Sequence, residues 1–360
     1  MTAAAPSYQH GLGDSGAIPR AYRRFLGRAM LLMFALVIIG AYLLPLLYMV
    51  TTAFQQPGQA TTPGAPVWPA TPQTAQFEGD TYPLYSVPID GTVRQLILLE
   101  PGRESSVFVD PADPAATRIT WQGRWRTLQQ AWSFAPLVDN FTTAWNQLDF
   151  PRLLRNTFGI AILSTLGAVV SSVLVAYGFA RFRFPGRNAF FVILIATIIL
   201  PFQVTLLPTY VIFTWLGWNG TWLPLIIPHC FANAYNVFLL RQYFMSIPRE
   251  LDEAAMIDGA GPLRILRSVI VPQSVAAITA VSLFHFFFAW NDFFVPLLYL
   301  AGTPELQPLS IGIQQYNALY SSQPTLIQAS ALMTMTVPVV VFLLAQRAFM
   351  RGVVVTGVEK

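Results

Sequence analysis

"DEAAMIDGAGPLRILRSVIVP", residues 252–272, is charged and bends at Gly259 and Gly261, yet it lies between two long apolar runs. Just before it, Pro248 suits the first turn of a helix. Glu250, Asp252 and Glu253 then fall near that helix's N-terminus, where the backbone dipole favours acidic groups. The two glycines close the helix and Pro262 opens a second one, "PLRILRSVIVP". On the first helix Leu251, Ala254, Ala255 and Asp258 share one face, and the small alanines leave room for another surface. Arg264 and Arg267 hold the second helix at the membrane interface. A plain connecting loop has no use for two capped helices, so the spacing predicts a short, rigid knob built to dock.

The rest of the chain says what the knob is attached to. Apolar residues make up 54% of the 360 residues and charged residues 11%, against about 25% charged in soluble domains. A bilayer core takes about 20 apolar residues of helix. Blocks of that size occur at 29–53, 156–180, 188–213, 222–244, 273–300 and 325–349. The composition therefore predicts an all-α polytopic membrane protein with six transmembrane helices.

Arginine placement orients the spans. Arg20, Arg23, Arg24 and Arg28 precede the first block; Arg181, Arg183 and Arg187 lie between the second and third. Arg241, Arg249, Arg264 and Arg267 lie between the fourth and fifth, and Arg347, Arg351 and Lys360 follow the last. The short loops 214–221 and 301–324 hold neither Lys nor Arg. This positive-inside pattern puts both termini, the tails 1–28 and 350–360 and the loop 246–272 in the cytoplasm. The first block is too long for a signal peptide and is expected to stay as an anchor. The single cysteine, Cys230, leaves the exported segment without disulfides, and His10, His229 and His285 lie too far apart in sequence to suggest a metal site.

Residues 54–131 belong outside the lipid. "QQPGQATTPGAPVWPATPQTAQ" reads as an extended linker. The runs "PLYSVPIDG", "VRQLILLEPG", "SSVFVDPAD" and "ATRITWQGRWRTL" predict a small antiparallel sheet. This β-rich extracytoplasmic insert is either a spacer or a binding module. Residues 132–155 predict an amphipathic helix along the outer surface, leading into a permease core at 132–349. Ser164, Ala168, Ser172, Ala176 and Ala180 recur at every fourth position of the second span, a stripe that lets helices approach closely. Pro201, Pro208, Pro224, Pro228, Pro296 and Pro338 interrupt the later spans.

Glu253-Ala254-Ala255, Gly259 and Pro272 resemble, in their spacing, the EAA motif of permease subunits of ABC importers. Val269 and Val271 stand where that family usually has Ile and Leu. From about residue 134 onward, "NTFGIAILSTLGAVVSSVLVAYGFARFRFPGRN", "FLLRQYFMSIPRELDEAAMIDGAG", "FAWNDFFVPLLYL" and "QRAFMRGVVVTGVEK" are similar to the carbohydrate branch, the maltose-permease G type. The insert is longer than that type's loop. The resemblance implies a type I ABC importer permease fold in a bacterial inner membrane. It implies that Glu253, Ala254, Ala255, Asp258, Gly259 and Pro272 couple the chain to an ATPase subunit. It also implies partners: a second permease subunit, two ATPase subunits and an extracytoplasmic solute-binding protein, with no nucleic acid. The residues agree on one point. A P-loop needs a lysine after its glycines, and the only lysine is the terminal Lys360. The chain is therefore expected to be no enzyme and to carry no cofactor, with ATP and Mg held by the partner ATPase.

Polar groups at membrane depth mark a substrate path by default. The densest cluster is Trp290, Asn291 and Asp292, with Asn233 and Gln203 as further candidates and Asn236 and His229 behind them. Asp292 must face an aqueous cavity or a partner, and sugar contact and helix packing both remain open for this group. Gln314, Gln315, Tyr316 and Asn317 form the expected tip of a polar, flexible outer loop. By the resemblance, that loop reaches into the binding protein. The function expected is import of a sugar, oligosaccharide, polyol or glycerol-phosphate by alternating access. The other reading is a stand-alone secondary transporter or channel. It lacks support from internal repeats or paired intramembrane charges.

Overall fold

A computed structural model describes residues 20–89, 91–111, 118–318 and 321–355. It divides at Val50/Thr51 into two units. The first is most of helix α1 (Arg20–Ala53), apolar along Phe25–Ala53 and long enough to cross a membrane.

The second unit begins with a segment that sequence suggests is loose. It is instead tied down by two nearly buried glutamines. Gln55 Nε2 donates to Val67 O at 2.8 Å. Gln59 Nε2 donates to Pro66 O at 2.9 Å and Trp68 O at 2.8 Å. Buried side-chain amides need partners, and these backbone carbonyls supply them.

The β-rich segment follows as expected. Strands β1 (Ala70–Pro72), β2 (Thr74–Phe77), β3 (Asp80–Ile89), β4 (Thr92–Glu100), β5 (Ser105–Val109) and β6 (Ile119–Gln122) precede the short β7 (Gln129–Gln130) and β8 (Trp132–Phe134). The main sheet runs β2-β3-β4-β5-β6, antiparallel throughout, with β7 on the free edge of β3 and β1 paired to β8. Strands β3 and β4 pair up to Ile89 and Thr92, and Gly91, just before β4, takes φ +78°. Alternation divides the apolar residues between two faces. Leu84, Ile97 and Val109 are on one side; Val87, Leu96, Leu98 and Phe108 are on the other.

The expected surface helix over 132–155 is shorter than its apolar pattern suggests. Trp132–Phe134 is strand β8, and only α2 (Asp139–Gln147) is helical before Asp149, at φ +50°, breaks the chain direction. Asn140 anchors α2, donating to Ala53 O at 2.9 Å and Gln55 O at 2.8 Å. The next helix, α3 (Phe150–Arg181), therefore starts six residues ahead of the expected 156, with Pro151 in its first turn.

Three of the expected spans are not straight. Helix α4 (Arg187–Ala196) and its 3₁₀ extension to Ile199 meet α5 (Phe202–Trp215) at 97°. Pro201 lacks an N–H and forces Leu200 into an extended conformation. Helix α6 (Leu223–Ile226) passes through a 3₁₀ turn into α7 (Ala234–Ser246), interrupted at Ala232, φ +57°. There Ser171 Oγ accepts from Ala232 N at 3.0 Å and Ser172 Oγ from Asn233 N at 3.3 Å. After the knob helix α8 (Glu250–Ile257), α9 (Pro262–Ile265) runs through a π turn into α10 (Val271–Gln273), which meets α11 (Val275–Trp290) at 83°. The expected span 273–300 ends at Trp290, and α12 (Phe294–Leu300) is separate. Among the described residues, four helices are long and apolar enough to cross a membrane by themselves; the number reaches six only if each of the two bent pairs is one span. The chain closes with α13 (Leu309–Gly312), the two-residue strands β9 (Asn317–Ala318) and β10 (Ser321–Ser322), and α14 (Pro324–Val355).

Helix α3 lies at the centre. Ser164, Ala168, Ser172, Ala176 and Ala180 are all buried. Around its inner half Val173 and Tyr177 pack with Val237, Leu240 and Phe244 of α7 and Val281 of α11. The small-residue stripe therefore serves packing within the chain. Ala176→Leu is expected to overpack this contact and cost about 1–3 kcal/mol. Leu174→Ala, on the outer face of the same helix, should stay within about 0.5 kcal/mol. Denaturation in mixed micelles followed by circular dichroism checks both.

Candidate functional site

The knob is held by a complete C-terminal cap. Gly259, at φ +78°, donates its N–H to Met256 O at 3.0 Å, and Ala260 donates to Ala255 O at 2.9 Å. This is the Schellman arrangement, and glycine takes the left-handed position without a Cβ penalty. The outward surface differs from the expected alanine face. Ala254 is exposed, but Ala255 packs against the α3–α7 cluster and is half-buried. What projects is Ile257, 87% exposed, with Met256, Leu251 and the polar rim of Glu253 and Asp258. Pro272 is exposed and lies in α10, just before the 83° bend.

On the inner side, Asp252 is the one buried residue of α8. Its Oδ2 lies 2.8 Å from Nε of Arg181, the last residue of α3. Arg181 also donates from a terminal nitrogen to Ile247 O at 3.0 Å, and Tyr177 OH donates to Pro262 O at 3.1 Å. Sequence reading counts Arg181 only as a topology marker and leaves Asp252 among the acidic groups near a helix N-terminus. Their meeting needs the fold, because no local periodicity links a helix end to a loop this distant.

The candidate path residues separate into two groups. Trp290 is 2% exposed, edge-on to Phe158 at 5.1 Å and tilted against Phe286 at 5.5 Å. Trp290 and Asn291 line a cavity of about 530 Å³ with Ser310, Thr334 and Pro338. Asn291 is exposed, its Nδ2 donating to Phe287 O at 2.8 Å. Asp292 is not among the lining residues. Its Oδ1 accepts from Val295 N at 3.3 Å and so serves the first turn of α12. A backbone N–H thus meets one oxygen of the carboxylate within the chain itself. Asn233 is likewise a cap, its Oδ1 accepting from Tyr235 N at 2.9 Å and Asn236 N at 3.2 Å. Asn236 is buried behind it. Gln203 is exposed on α5; neither it nor Asn233 lines the cavity. His229 and His285, remote in sequence, stand edge to face at 4.8 Å.

The loop that follows α12 is more firmly held than a flexible polar loop. Asn156, fully buried in α3, donates to Glu305 O at 2.7 Å and Gln307 O at 3.0 Å, and Thr157 Oγ1 accepts from Leu309 N at 2.9 Å. Arg152 donates to Pro304 O. Gln314, Gln315 and Asn317 are exposed, but Tyr316 is 6% exposed and packs with Leu153, Phe286 and Leu326. Burial pushes its phenol above the usual range. Tyr316 is an anchor and not part of a tip, since its ring gains more from the cluster than from solvent. Asn156 carried a legible signal, a lone amide at the head of an apolar block.

Residues 157–355 match the family described as binding-protein-dependent transport system inner membrane component. The chain is 35% identical over 205 residues to the osmoprotective compounds uptake permease protein GgtD of Synechocystis sp., covering 57% of this chain and 69% of that one. It is 38% identical over 207 residues to the sn-glycerol-3-phosphate transport system permease protein UgpE of Rhizobium meliloti, covering 57% and 73%. Among solved structures, a bacterial ABC transporter involved in the import of the acidic polysaccharide alginate superposes with a TM-score of 0.61 at 20% identity. That alignment covers 93% of this chain and all of that one. At such identity the likeness establishes the fold alone, that of a type I ABC importer permease with a β-rich N-terminal region.

The capping role of Asp292 has a direct test. Asp292→Ala should cost about 1 kcal/mol, whereas Asp292→Asn keeps an acceptor and should cost only a few tenths, roughly 0.3 kcal/mol. Tryptophan fluorescence during denaturant titration in detergent reads both.

Proposed function

This chain belongs to the family of binding-protein-dependent transport system inner membrane components, and on that premise we propose that it is one permease subunit of an ATP-driven carbohydrate importer. The solute class is a sugar, oligosaccharide, polyol or glycerol-phosphate, which the names of its relatives support. A second permease subunit completes the pathway. Two ATPase subunits bind ATP and Mg, and an extracytoplasmic binding protein delivers the solute. Both termini and the knob lie in the cytoplasm.

One observation carries this reading. Helix α8, at the family motif, is rigidly capped and presents Ile257, Met256 and Leu251 outward. Exposed apolar side chains ringed by Glu253 and Asp258 are the anatomy of a docking patch, an apolar centre with a polar rim. ATP-driven closure of the ATPase pair displaces the knob. The coupling residues Glu253, Ala254, Ala255, Asp258 and Gly259 form its body, and Pro272 lies at the bend through which displacement enters α11. The solute path runs along the cavity beside Asn291, with Trp290 as its wall, Asn233 and Gln203 as more distant polar groups and Asp292 as a structural cap. Gln314, Gln315 and Asn317 face the binding protein, positioned by the buried Tyr316.

Two measurements test this. Ile257→Asp should weaken binding of the ATPase subunit to the purified permease by about thirtyfold or more, since charging a central docking residue costs roughly 2 kcal/mol or more. Deleting residues 250–262 should abolish retention while the chain still inserts; full retention by the deletion variant refutes the docking role. In a Cys230→Ser background, Ala254→Cys should react with a membrane-impermeant maleimide in inside-out vesicles and not in intact cells. The reverse pattern refutes the orientation.

A further inference from the structure

We propose that Arg181 is a positioning residue for energy coupling, its buried ion pair with Asp252 fastening the knob to the inner end of α3 so that displacement of α8 is delivered to that helix. The inference rests on the docking of an ATPase at α8.

The attachment of the knob is unusual for a helix in an apolar protein. Its outward residues are free of the chain's own core, and inward it offers little beyond Ala255. The one side chain it buries is a carboxylate. Arg181 and Asp252 are 7% and 8% exposed and 2.8 Å apart. Such a pair adds little net stability compared with apolar packing, but it fixes registry, because sliding by a residue leaves two buried charges unmatched. An apolar contact tolerates that sliding.

Two further bonds come from the same turn of α3. Arg181 donates to Ile247 O on the approach to α8, and Tyr177, four residues earlier, donates to Pro262 O on its exit. The knob is thus gripped before, within and after its helix by two side chains on one face of α3. That helix is continuous over 32 residues and is the one α7 and α11 close upon. Its outer end is bonded to the loop 304–309 through Asn156 and Thr157. A push at Asp252 therefore has a rigid route across the molecule.

The test uses the complete transporter in nanodiscs, with Cys230→Ser and Thr334→Cys as a reporter on the cavity wall. The readout is the rate of maleimide labelling with and without Mg-ATP and vanadate. Arg181→Met and Asp252→Asn should still co-purify with the ATPase but lose on the order of tenfold of the nucleotide-dependent change in labelling, about 1.4 kcal/mol of coupling. The exchanged pair Arg181→Asp with Asp252→Arg should recover most of it. Unaltered nucleotide response in both single variants overturns the proposal. So does loss of the ATPase from the single variants without recovery in the exchanged pair, which would make the ion pair a folding brace. If the unsubstituted chain itself retains no ATPase, the docking reading fails and this inference fails with it; the other outcomes leave docking standing.

Discussion

Close approach to one helix underlies the rest of this structure. In lipid there is no hydrophobic drive between helices, so association depends on how near two backbones can come. Ser164, Ala168, Ser172, Ala176 and Ala180 reduce one side of α3 to almost bare backbone, and all five are buried. Gly167 extends the effect toward α6: a Cβ there would stand 2.5 Å from Cys230 Sγ. The serines do more than stay small. Ser171 and Ser172 accept the N–H groups released where the chain breaks at Ala232 and Asn233. The same surface that admits a second helix thus allows that helix to be interrupted, because the freed groups have no water to turn to.

Both ends of α3 are tied by polar side chains, and the ties differ in kind. At one end Asn156 and Thr157 hold loop backbone through neutral hydrogen bonds, and Arg152 donates beside them to Pro304 O. At the other, Arg181 holds Asp252 through a buried ion pair. A neutral bond positions a loop at modest net gain, about 1 kcal/mol each. A buried ion pair contributes orientation above all, and breaking it by removing one partner costs about 3–5 kcal/mol. The buried ion pair is found at the knob, and the ties at the loop 304–309 are hydrogen bonds to its backbone.

Two chain bends also serve this arrangement. Pro201 turns α4 into α5 through 97°, and the π turn at Leu266–Ile270 precedes the 83° turn into α11. The first divides the run 188–213 that composition alone would draw as one straight span, and the second falls at the start of the run 273–300. At the far end of α11 from the second bend, the cavity-lining Trp290 and Asn291 close the helix, and Asp292 starts the next turn by receiving Val295 N. A carboxylate that looked expensive in lipid is thereby reconciled with its surroundings.

The apolar blocks, the β-prone runs between Gly and Pro, the small-residue stripe and the spacing from Glu253 to Pro272 were legible in the residues themselves, because each is a short-range pattern set by helix period, strand alternation or turn chemistry. Those patterns determined the membrane class, the β-rich segment, the capped knob and the family resemblance. They could not show which side of the knob faces inward. Whether Ala255 is covered and Ile257 bare depends on where α3 and α7 lie, and the pairing of Arg181 with Asp252 depends on a contact across many intervening residues. Nor could hydropathy distinguish a span from a bent pair, since a proline or π turn leaves the apolar count unchanged while redirecting the backbone. For Tyr316, Asp292 and Asn233 the sequence offered only a residue type, while the fold supplies the packing of the first and the N–H partners of the other two, because only tertiary structure decides what a polar atom finds beside it.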